Sequence, residues 1–355
     1  MSSVLDARPA FSAPLQRRGS AARQRGWVLL ETLSGERRCV VAEGSRPRRF
    51  TAWTKSWVAR SATVHAAAPD MIDTAIATGE PQRREVTSTD GRPLQIRAVP
   101  VLDAGGHVLG VHLWSGLHGQ QPPPRHPVGT LTWDPHTSLL TTNTDLERLI
   151  DAEADPDQIR ARTRALPEFL GHFTFFDRVG FLGLFDAHRA ASTWTADTIT
   201  AGLASEHRRS LYVAARNDGP DPTSSVRALV VDIGARQPLP APEVAALLAH
   251  VAPIAHGHAV GVVDLRTGLI HEWLARTPAR LRRFHHEVPV VHPDDIDACR
   301  AVRSALLGGA TVAHNEFRAV FDDGTWQRLT AQWTILTRET APQAVLSVQL
   351  ITSGR

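Results

Sequence analysis

The sequence predicts an α+β protein of three domains, each with a roughly five-stranded antiparallel sheet and flanking helices. The chain has 355 residues, which is more than one hydrophobic core usually serves. Two proline-rich segments, residues 120–124 and 237–242, divide it into three parts of similar size. The first and last parts share one order of elements, namely a hairpin, a helix and three strands. This internal repeat is the main basis of the prediction.

The first part, residues 25–120, begins with two strands that Ser34 and Gly35 join as a hairpin. Its helix has Met71, Ile72 and Ala75 at helical spacing and is predicted over residues 69–77, with Gly79 as the stop. In the strands, apolar side chains alternate with polar or small ones, which is typical of a sheet with one buried face. The predicted strands cover residues 27–33, 38–42, 84–88, 94–101 and 108–114.

The last part, residues 241–355, repeats this order. A hairpin is predicted around Thr267 and Gly268, and a helix is predicted to begin near Pro293 and to end at Gly308. Three strands with alternating apolar residues follow. We expect helices to cover one face of this sheet, as in the first part.

The middle part, residues 125–236, gives a less regular pattern. A hairpin is predicted over residues 130–142, and Leu146 and Leu149 indicate a short helical face. Ile159 and Leu166 indicate a second helical face. Strands are predicted at residues 179–185, 211–215 and 226–233.

The order of hairpin, helices and three-stranded meander resembles that of a PAS domain. In the last part, the resemblance covers its C-terminal half and is carried by the stretches Val291-His292-Pro293-Asp294-Asp295, Asn315-Glu316-Phe317-Arg318 and Asp323-Gly324. The first part resembles the same half without the His-Pro-Asp-Asp stretch, and the middle part resembles a GAF-like or PAS-like domain. The whole layout is similar to an actinobacterial, mainly mycobacterial, family of stand-alone PAS-GAF-PAS proteins. This resemblance implies a role in sensing or signalling without an output domain, and leaves the ligand unknown.

Positive charge is concentrated at one end of the chain. The net charge is +3, yet residues 1–60 hold 12 basic and 4 acidic residues, whereas the remainder holds 27 basic and 32 acidic ones. Residues 1–24 are predicted to form a disordered basic arm. Because the rest of the surface is acidic overall, we do not expect the protein to wrap around a nucleic acid.

Other features of the sequence favour a cytoplasmic protein without catalytic residues. There are only two cysteines, no apolar run long enough for a membrane span and no apolar core of an export signal. Motifs for phosphate loops, nucleophile elbows and zinc sites are missing. The stretch from His292 to Asp295 is interpreted as a helix start, and not as a metal site. We therefore predict no enzyme activity, no metal and no cofactor.

Two groups of residues are candidate binding sites. Trp273, Phe284, Trp326 and Trp333 are predicted to line a pocket between the last sheet and its helices, with filling of the core as an equally good alternative. The second group combines arginines that neutralise anions with tryptophans that can stack on bases. It is a candidate surface for a protein partner or an anion, unless its two tryptophans fill the first core. The residues of this group are Arg46, Arg48, Arg49, Trp53 and Trp57.

Two functions remain open from the sequence. The first is a non-enzymatic sensory or adaptor protein that binds a small molecule, a protein partner or both. The alternative is a nucleic-acid or nucleotide binder that acts through the basic first segment. A short amphipathic helix is also predicted over residues 242–251, which packs either on its own domain or on a second copy in a homodimer.

Overall fold

The structure is a computed structural model that describes most of the chain. The described residues are 26–33, 38–151, 155, 157–175, 177–186, 190–200, 208–219, 225–234, 257–273, 279–321, 323–339 and 341–351. The predicted basic arm, the predicted hairpin turn at Ser34 and Gly35 and the predicted helix over residues 242–251 lie outside them. None of the helices within these ranges has the length and apolar character needed to cross a membrane.

The described residues form three antiparallel sheets of six, seven and six strands, each built from one continuous stretch of the chain. The predicted class, PAS/GAF-like domains with five-stranded sheets and flanking helices, is therefore wrong. The first and third sheets each gain one edge strand that the sequence pattern did not indicate. The middle sheet gains strands where helices were predicted or where nothing was predicted.

The first sheet has the strand order β3-β2-β1-β6-β5-β4. Its extra edge strand, β3, covers Arg46–Ala52 and pairs with β2 after a turn at Gly44, whose positive φ of 57° suits glycine. One helix, α1, covers Ala62–Thr78. The other strands are β1 (Val28–Glu31), β2 (Cys39–Glu43), β4 (Gln82–Thr87), β5 (Pro93–Leu102) and β6 (Val108–Leu117).

Helix α1 begins seven residues before the predicted start at Pro69. The Ser61 side chain accepts a hydrogen bond from the backbone N–H of Val64 and so caps the helix, and Gly79 ends it with a φ of 67°. Pro69, at which the predicted helix begins, lies inside the observed helix. Ser61, as a capping residue, was the sequence signal for the true start of α1.

Both faces of the first sheet are buried, in contrast to the predicted single apolar face. One face packs against α1 through a core that includes Leu30, Met71 and Val111. The opposite face packs against the middle sheet through a second core that includes Leu29 and Leu229. The first and middle sheets are therefore stacked on each other, and β1 is buried at every position.

The middle sheet has the order β10-β11-β12-β13-β7-β8-β9. The predicted hairpin and the helix α2 (Thr144–Ile150) are confirmed. Two predictions are wrong: Ile159 and Leu166 do not share a helix, because Arg162–Ala165 forms strand β9, and the predicted strand at residues 179–185 is helical. The strands are β7 (Val128–Asp134), β8 (Leu139–Thr142), β9, β10 (Phe173–Phe175), β11 (Thr193–Thr200), β12 (Ser210–Asn217) and β13 (Val226–Asp232).

The helical segment at residues 178–185 has a local cause. The Asp177 side chain accepts a hydrogen bond from the backbone N–H of Gly180 at 2.8 Å and caps helix α4 (Arg178–Leu182). Phe181 and Leu184 are both buried, and residues 179–185 include no polar or charged side chain. A short apolar run of this kind has no periodicity that separates a buried strand from a buried helix. Helix α3 (Leu166–Gly171) precedes it in the chain.

The third sheet has the order β15-β14-β19-β18-β17-β16. Without their edge strands β3 and β16, the first and third sheets share one strand order, as the internal repeat suggested. Helix α5 (Ile296–Leu307) follows a single 3-10 turn at Pro293–Asp295. The strands are β14 (His258–Asp264), β15 (Ile270–Trp273), β16 (Val290–Val291), β17 (Val312–Val320), β18 (Trp326–Thr337) and β19 (Gln343–Leu350).

Candidate functional site

A cavity of about 410 Å³ lies between the third sheet, helix α5 and the middle part of the chain. Strands β17 to β19 contribute Phe317, Trp333 and Leu346, and β15 contributes Trp273. The middle part contributes Leu166 and Pro167 at the start of α3. One cavity therefore has walls from two different sheets and their helices.

The wall formed by the third part of the chain is aromatic. The rings of Trp273 and Phe284 lie 5.1 Å apart at a tilt of 52°. Phe284 also packs edge-on against Phe321, with ring centroids 4.9 Å apart. These contacts hold the rings in defined orientations, because each ring is restrained by another ring.

Asn315 fixes the orientation of a second part of the wall. Its Oδ1 accepts a hydrogen bond from Trp333 Nε1 at 2.9 Å, and its Nδ2 donates to Cys299 Sγ at 3.3 Å. Burial raises the pKa of the Cys299 thiol, so this side chain is a neutral part of the lining. Trp273 Nε1, in contrast, is a buried donor with no hydrogen-bond partner among the described residues.

The polar part of the lining comes mainly from α5 and the loop before it. Ile296, Cys299, Arg300 and Arg303 follow one another at helical spacing and all border the cavity. Arg300 pairs with Asp297 at the surface, with Nη1 and Oδ1 3.1 Å apart. Arg303 is half-buried, and burial lowers the pKa of its guanidinium.

Of the four residues predicted to line a pocket, three border this cavity: Trp273, Phe284 and Trp333. The fourth, Trp326, is 47% exposed at the start of β18 and contacts the His292 ring instead. Trp326 and Trp333 are seven residues apart on the same strand, so their side chains lie on opposite faces of the sheet. Arg303 and Leu166 were not predicted to line the cavity. For Arg303, its spacing from Cys299 on α5 was a usable signal.

A second cavity of about 400 Å³ lies beside the first, and Pro167 and Trp273 border both. It also has walls from the middle and third parts of the chain. His271 is its most deeply buried polar residue, and neither ring nitrogen has a hydrogen-bond partner among the described residues. Burial, and to a smaller extent the charge of Arg178, lowers the pKa of His271 to about 3. The ring is therefore neutral at pH 7.

Polar side-chain contacts join the two parts of the chain around these cavities. Arg178 at the start of α4 pairs with Glu272 on β15, with Nη1 and Oε2 2.5 Å apart. His286 Nδ1 lies 3.3 Å from Glu168 Oε2 on α3. Leu269, in the loop before β15, packs against the core of the middle sheet.

The basic group of the first part does not form one free surface. Arg46 and Arg49 are exposed on β3, while Arg48 pairs with Glu43 and its backbone oxygen accepts a hydrogen bond from Tyr212 Oη at 2.7 Å. The segment that holds this group is strand β3 followed by two single 3-10 turns.

The two tryptophans of this group are turned toward the first core. Trp53 and Trp57 are both half-buried and pack against the core that α1 covers. Trp53 also stacks on His65, with ring centroids 4.9 Å apart and an angle of 13°. Their partial burial agrees with core filling, so they offer little ring surface for stacking on bases.

Two carboxylates in the stretch from His292 to Asp295 bind the side chain of Arg318. Asp295 Oδ2 accepts hydrogen bonds from the backbone N–H of Arg318 at 2.7 Å and from its Nε at 2.9 Å, and these bonds lower the pKa of Asp295 to about 2. Asp294 Oδ2 accepts from Arg318 Nη2 at 3.1 Å. Across the described ranges, no group of three or more His, Cys, Asp or Glu side chains has the geometry to hold a metal ion.

Comparison with known proteins gives a fold relative in a mycobacterium. Residues 26–124 match the family model described as Rv3651-like, N-terminal. A crystal structure of an uncharacterized protein from Mycobacterium tuberculosis is similar to this chain with a TM-score of 0.67 and 22% identity, over 92% of this chain and 97% of that one. At this identity, the likeness shows the fold alone. The mycobacterial side of the predicted resemblance is supported, whereas its PAS-GAF-PAS layout is not confirmed.

Two further solved structures match with low TM-scores. One is an RNA-binding light-oxygen-voltage receptor, with a TM-score of 0.25 and 10% identity, over 63% of this chain and 96% of that one. The other is a methyl-accepting chemotaxis protein X, with a TM-score of 0.20 and 12% identity, over 64% of this chain and 75% of that one. At TM-scores this low, neither match shows a shared fold. No curated protein matches the sequence.

Proposed function

We propose that the protein is a non-enzymatic sensor or adaptor that binds a small organic ligand in the cavity between its middle and third sheets. One observation carries this proposal: Leu166 and Pro167 of the middle part line the same cavity as Trp273 and Trp333 of the third. A ligand in this cavity contacts both parts. Its binding therefore stabilises one arrangement of the two relative to others, and a protein partner can detect that arrangement.

The size and lining of the cavity support a small-molecule ligand. Its volume of about 410 Å³ lies within the range of roughly 300 to 1,000 Å³ that is usual for small-molecule sites. Such sites are mostly apolar with a few polar groups, and here aromatic walls face a helix that carries two arginines. The restrained rings of Trp273 and Phe284 favour a ligand with a flat apolar body.

Other properties of the chain agree with a binding role in a reducing compartment such as the cytoplasm. Neither Cys39 nor Cys299 forms a disulfide. The alternative of a nucleic-acid binder gains no support, because Trp53 and Trp57 pack against the first core and Arg48 is paired with Glu43. We therefore propose a protein, or a second copy of this chain, as the partner that receives the signal.

The test is a fluorescence titration of the full chain with N-phenyl-1-naphthylamine, a neutral aromatic probe whose emission rises in apolar surroundings. We expect saturable binding of one probe per chain. Ile270 lines the cavity, so Ile270→Trp should fill it and weaken binding at least about tenfold. Leu336 is 40% exposed on β18 and does not line it, so Leu336→Trp is the matched control and should bind as the unmodified chain does.

Binding without saturation, or equal binding by the two variants, would count against the proposal. Thermal unfolding of both variants shows whether each is folded at the temperature of the titration. Hydrogen exchange of the backbone in α3 and β15, with and without the probe, then tests the second half of the proposal. Protection of both elements on binding is expected, because both border the cavity.

A further inference from the structure

Arg303 is a half-buried cation whose guanidinium has no hydrogen bond or ion pair with any residue that the structure describes. The two other half-buried arginines of the third sheet for which side chains are described are both paired. Arg283 pairs with Glu287 and Asp323, and Arg318 pairs with Asp294 and Asp295. Arg303 therefore differs from these two arginines in having no described partner.

The position of Arg303 is fixed by packing rather than by charge. Its guanidinium lies directly on the backbone of Gly268, in the turn between β14 and β15, where a β-carbon would collide with it. Gly268 has a φ of 78°, which suits glycine and leaves room for this contact. Asp264 is the acid whose charge acts on Arg303, but its Oδ1 already accepts hydrogen bonds from the backbone N–H groups of Arg266 and Thr267 in the same turn.

Among the residues that the structure describes, the rest of the cavity lining offers Arg303 no unpaired group of opposite charge. Glu287 borders the cavity, but both of its carboxylate oxygens accept hydrogen bonds from Arg283 at 2.9 Å. Cys299 is a neutral thiol. A partly desolvated cation without a partner is costly, and an anionic group that enters the cavity removes this cost.

We propose that the ligand of this cavity is an organic anion with a flat apolar body, whose carboxylate or sulfonate group binds Arg303. The apolar body lies against Trp273, Phe284 and Trp333. The planar guanidinium matches two oxygens of a carboxylate or sulfonate with parallel hydrogen bonds, which gives direction as well as affinity. This inference rests on the proposed function, because it names the class of ligand for the same cavity.

The test compares two probes that share one ring system. N-phenyl-1-naphthylamine is neutral, and 8-anilinonaphthalene-1-sulfonate is the same molecule with an added sulfonate. We expect the full chain to bind the sulfonate more tightly than the neutral probe. Arg303→Gln should weaken the sulfonate about tenfold and change the neutral probe by less than about twofold.

Two further variants separate recognition by Arg303 from general charge. Arg300 lies on the same helix and borders the same cavity, but it is exposed and paired with Asp297, so Arg300→Gln should weaken the sulfonate by less than about twofold. Arg303→Lys keeps the charge without the planar group and should recover part of the lost affinity.

The outcomes distinguish this inference from the proposed function. If neither probe binds, the proposed function fails. If the neutral probe binds and the sulfonate binds no more tightly, or if Arg303→Gln weakens both probes equally, the cavity is a ligand site and the anion is wrong. An equal loss in Arg300→Gln and Arg303→Gln also overturns the inference, because it reflects charge alone.

Discussion

Arg216 of the middle sheet forms an ion pair with Glu31 of the first sheet, with Nη2 and Oε1 3.2 Å apart. Glu31 is fully buried, and burial raises the pKa of its carboxyl while the charge of Arg216 opposes that rise. The backbone N–H groups of Leu33 and Cys39 also donate to it. This pair lies at the junction of two stacked sheets. Removal of the Arg216 guanidinium alone leaves the buried carboxylate of Glu31 without its charged partner.

We therefore predict that Arg216→Met lowers the free energy of unfolding by about 3 kcal/mol, because it removes one partner of a buried pair. Arg328 pairs with Glu316 with both side chains more than half exposed, and Arg328→Met is the control, with a loss below about 0.5 kcal/mol. Urea unfolding followed by circular dichroism measures both. Equal losses would show that Arg216 does not stabilise the junction.

His271 should make the stability depend on pH. Its pKa in the folded protein is about 3, whereas histidine in an unfolded chain titrates near 6.5. The unfolded chain therefore binds a proton between these values that the folded protein does not, so stability falls as the pH falls through this window. The contribution of His271 is about 2 kcal/mol between pH 7 and pH 5.

His271→Leu removes this titration, and we expect the stability of the variant to fall by about 2 kcal/mol less than that of the unmodified chain over the same pH range. His136→Leu is the control, because His136 is exposed in the turn between β7 and β8. Urea unfolding at pH 7 and pH 5 gives both numbers. Part of the pH dependence should remain, because burial also lowers the pKa of His112 to about 3. A pH dependence in His271→Leu equal to that of the unmodified chain would mean that His271 is not buried as a neutral ring.

Trp333 and Trp326 should differ in ligand binding although the sequence predicts the same role for both. Trp333 borders the cavity and Trp326 does not. We expect Trp333→Leu to weaken N-phenyl-1-naphthylamine about tenfold, since an aromatic pair contributes about 1 kcal/mol beyond its buried area. Trp326→Leu should leave the affinity unchanged. The reverse order would move the ligand site to the exposed start of β18.

Gly129 on β7 allows α2 to approach the middle sheet. A β-carbon at this position would lie 2.5 Å from the Cα of Leu146 and 2.9 Å from its backbone nitrogen. Gly129→Ala should therefore lower the free energy of unfolding by about 2 kcal/mol or more. Gly171, at the end of α3, has no atom within 4 Å of such a β-carbon, so Gly171→Ala should be neutral or slightly stabilising. Thermal unfolding of both variants compares them directly.

Much of the secondary structure could be predicted where the local pattern was strong. Alternation along Leu329, Ala331 and Trp333 gave the correct strand, and Pro293 and Gly308 marked the start and stop of the helical region before it. The internal repeat gave the shared strand order of the first and third sheets. These features depend on neighbours in the chain, which a sequence displays directly.

The number of strands and the stacking of the sheets could not be predicted. Strand β3 contains three arginines and pairs at a sheet edge, where burial imposes no apolar pattern. Leu29 and Leu229 belong to one core between two sheets although 200 positions separate them. Such a contact leaves no periodic signal, so β1 was interpreted as a strand with only one buried face.

The candidate site also combines residues that could be predicted from the sequence with residues that could not. Large aromatic residues such as Trp273 and Phe284 could be chosen from the sequence, because rings of that size in a small sheet domain either line a pocket or fill the core. Leu166 and Pro167 could not, since they come from another part of the chain and border the cavity only through the arrangement of two sheets. That Arg303 has no ion-pair partner in the described part of the chain is likewise a property of three-dimensional packing.

A crystal structure of the full chain with N-phenyl-1-naphthylamine bound tests the central claim most directly. We predict density for the ring system in the cavity between Trp273, Trp333 and Leu166, with contacts to both the middle and third parts of the chain. Density for the probe at another position, with this cavity filled by protein side chains, would contradict it.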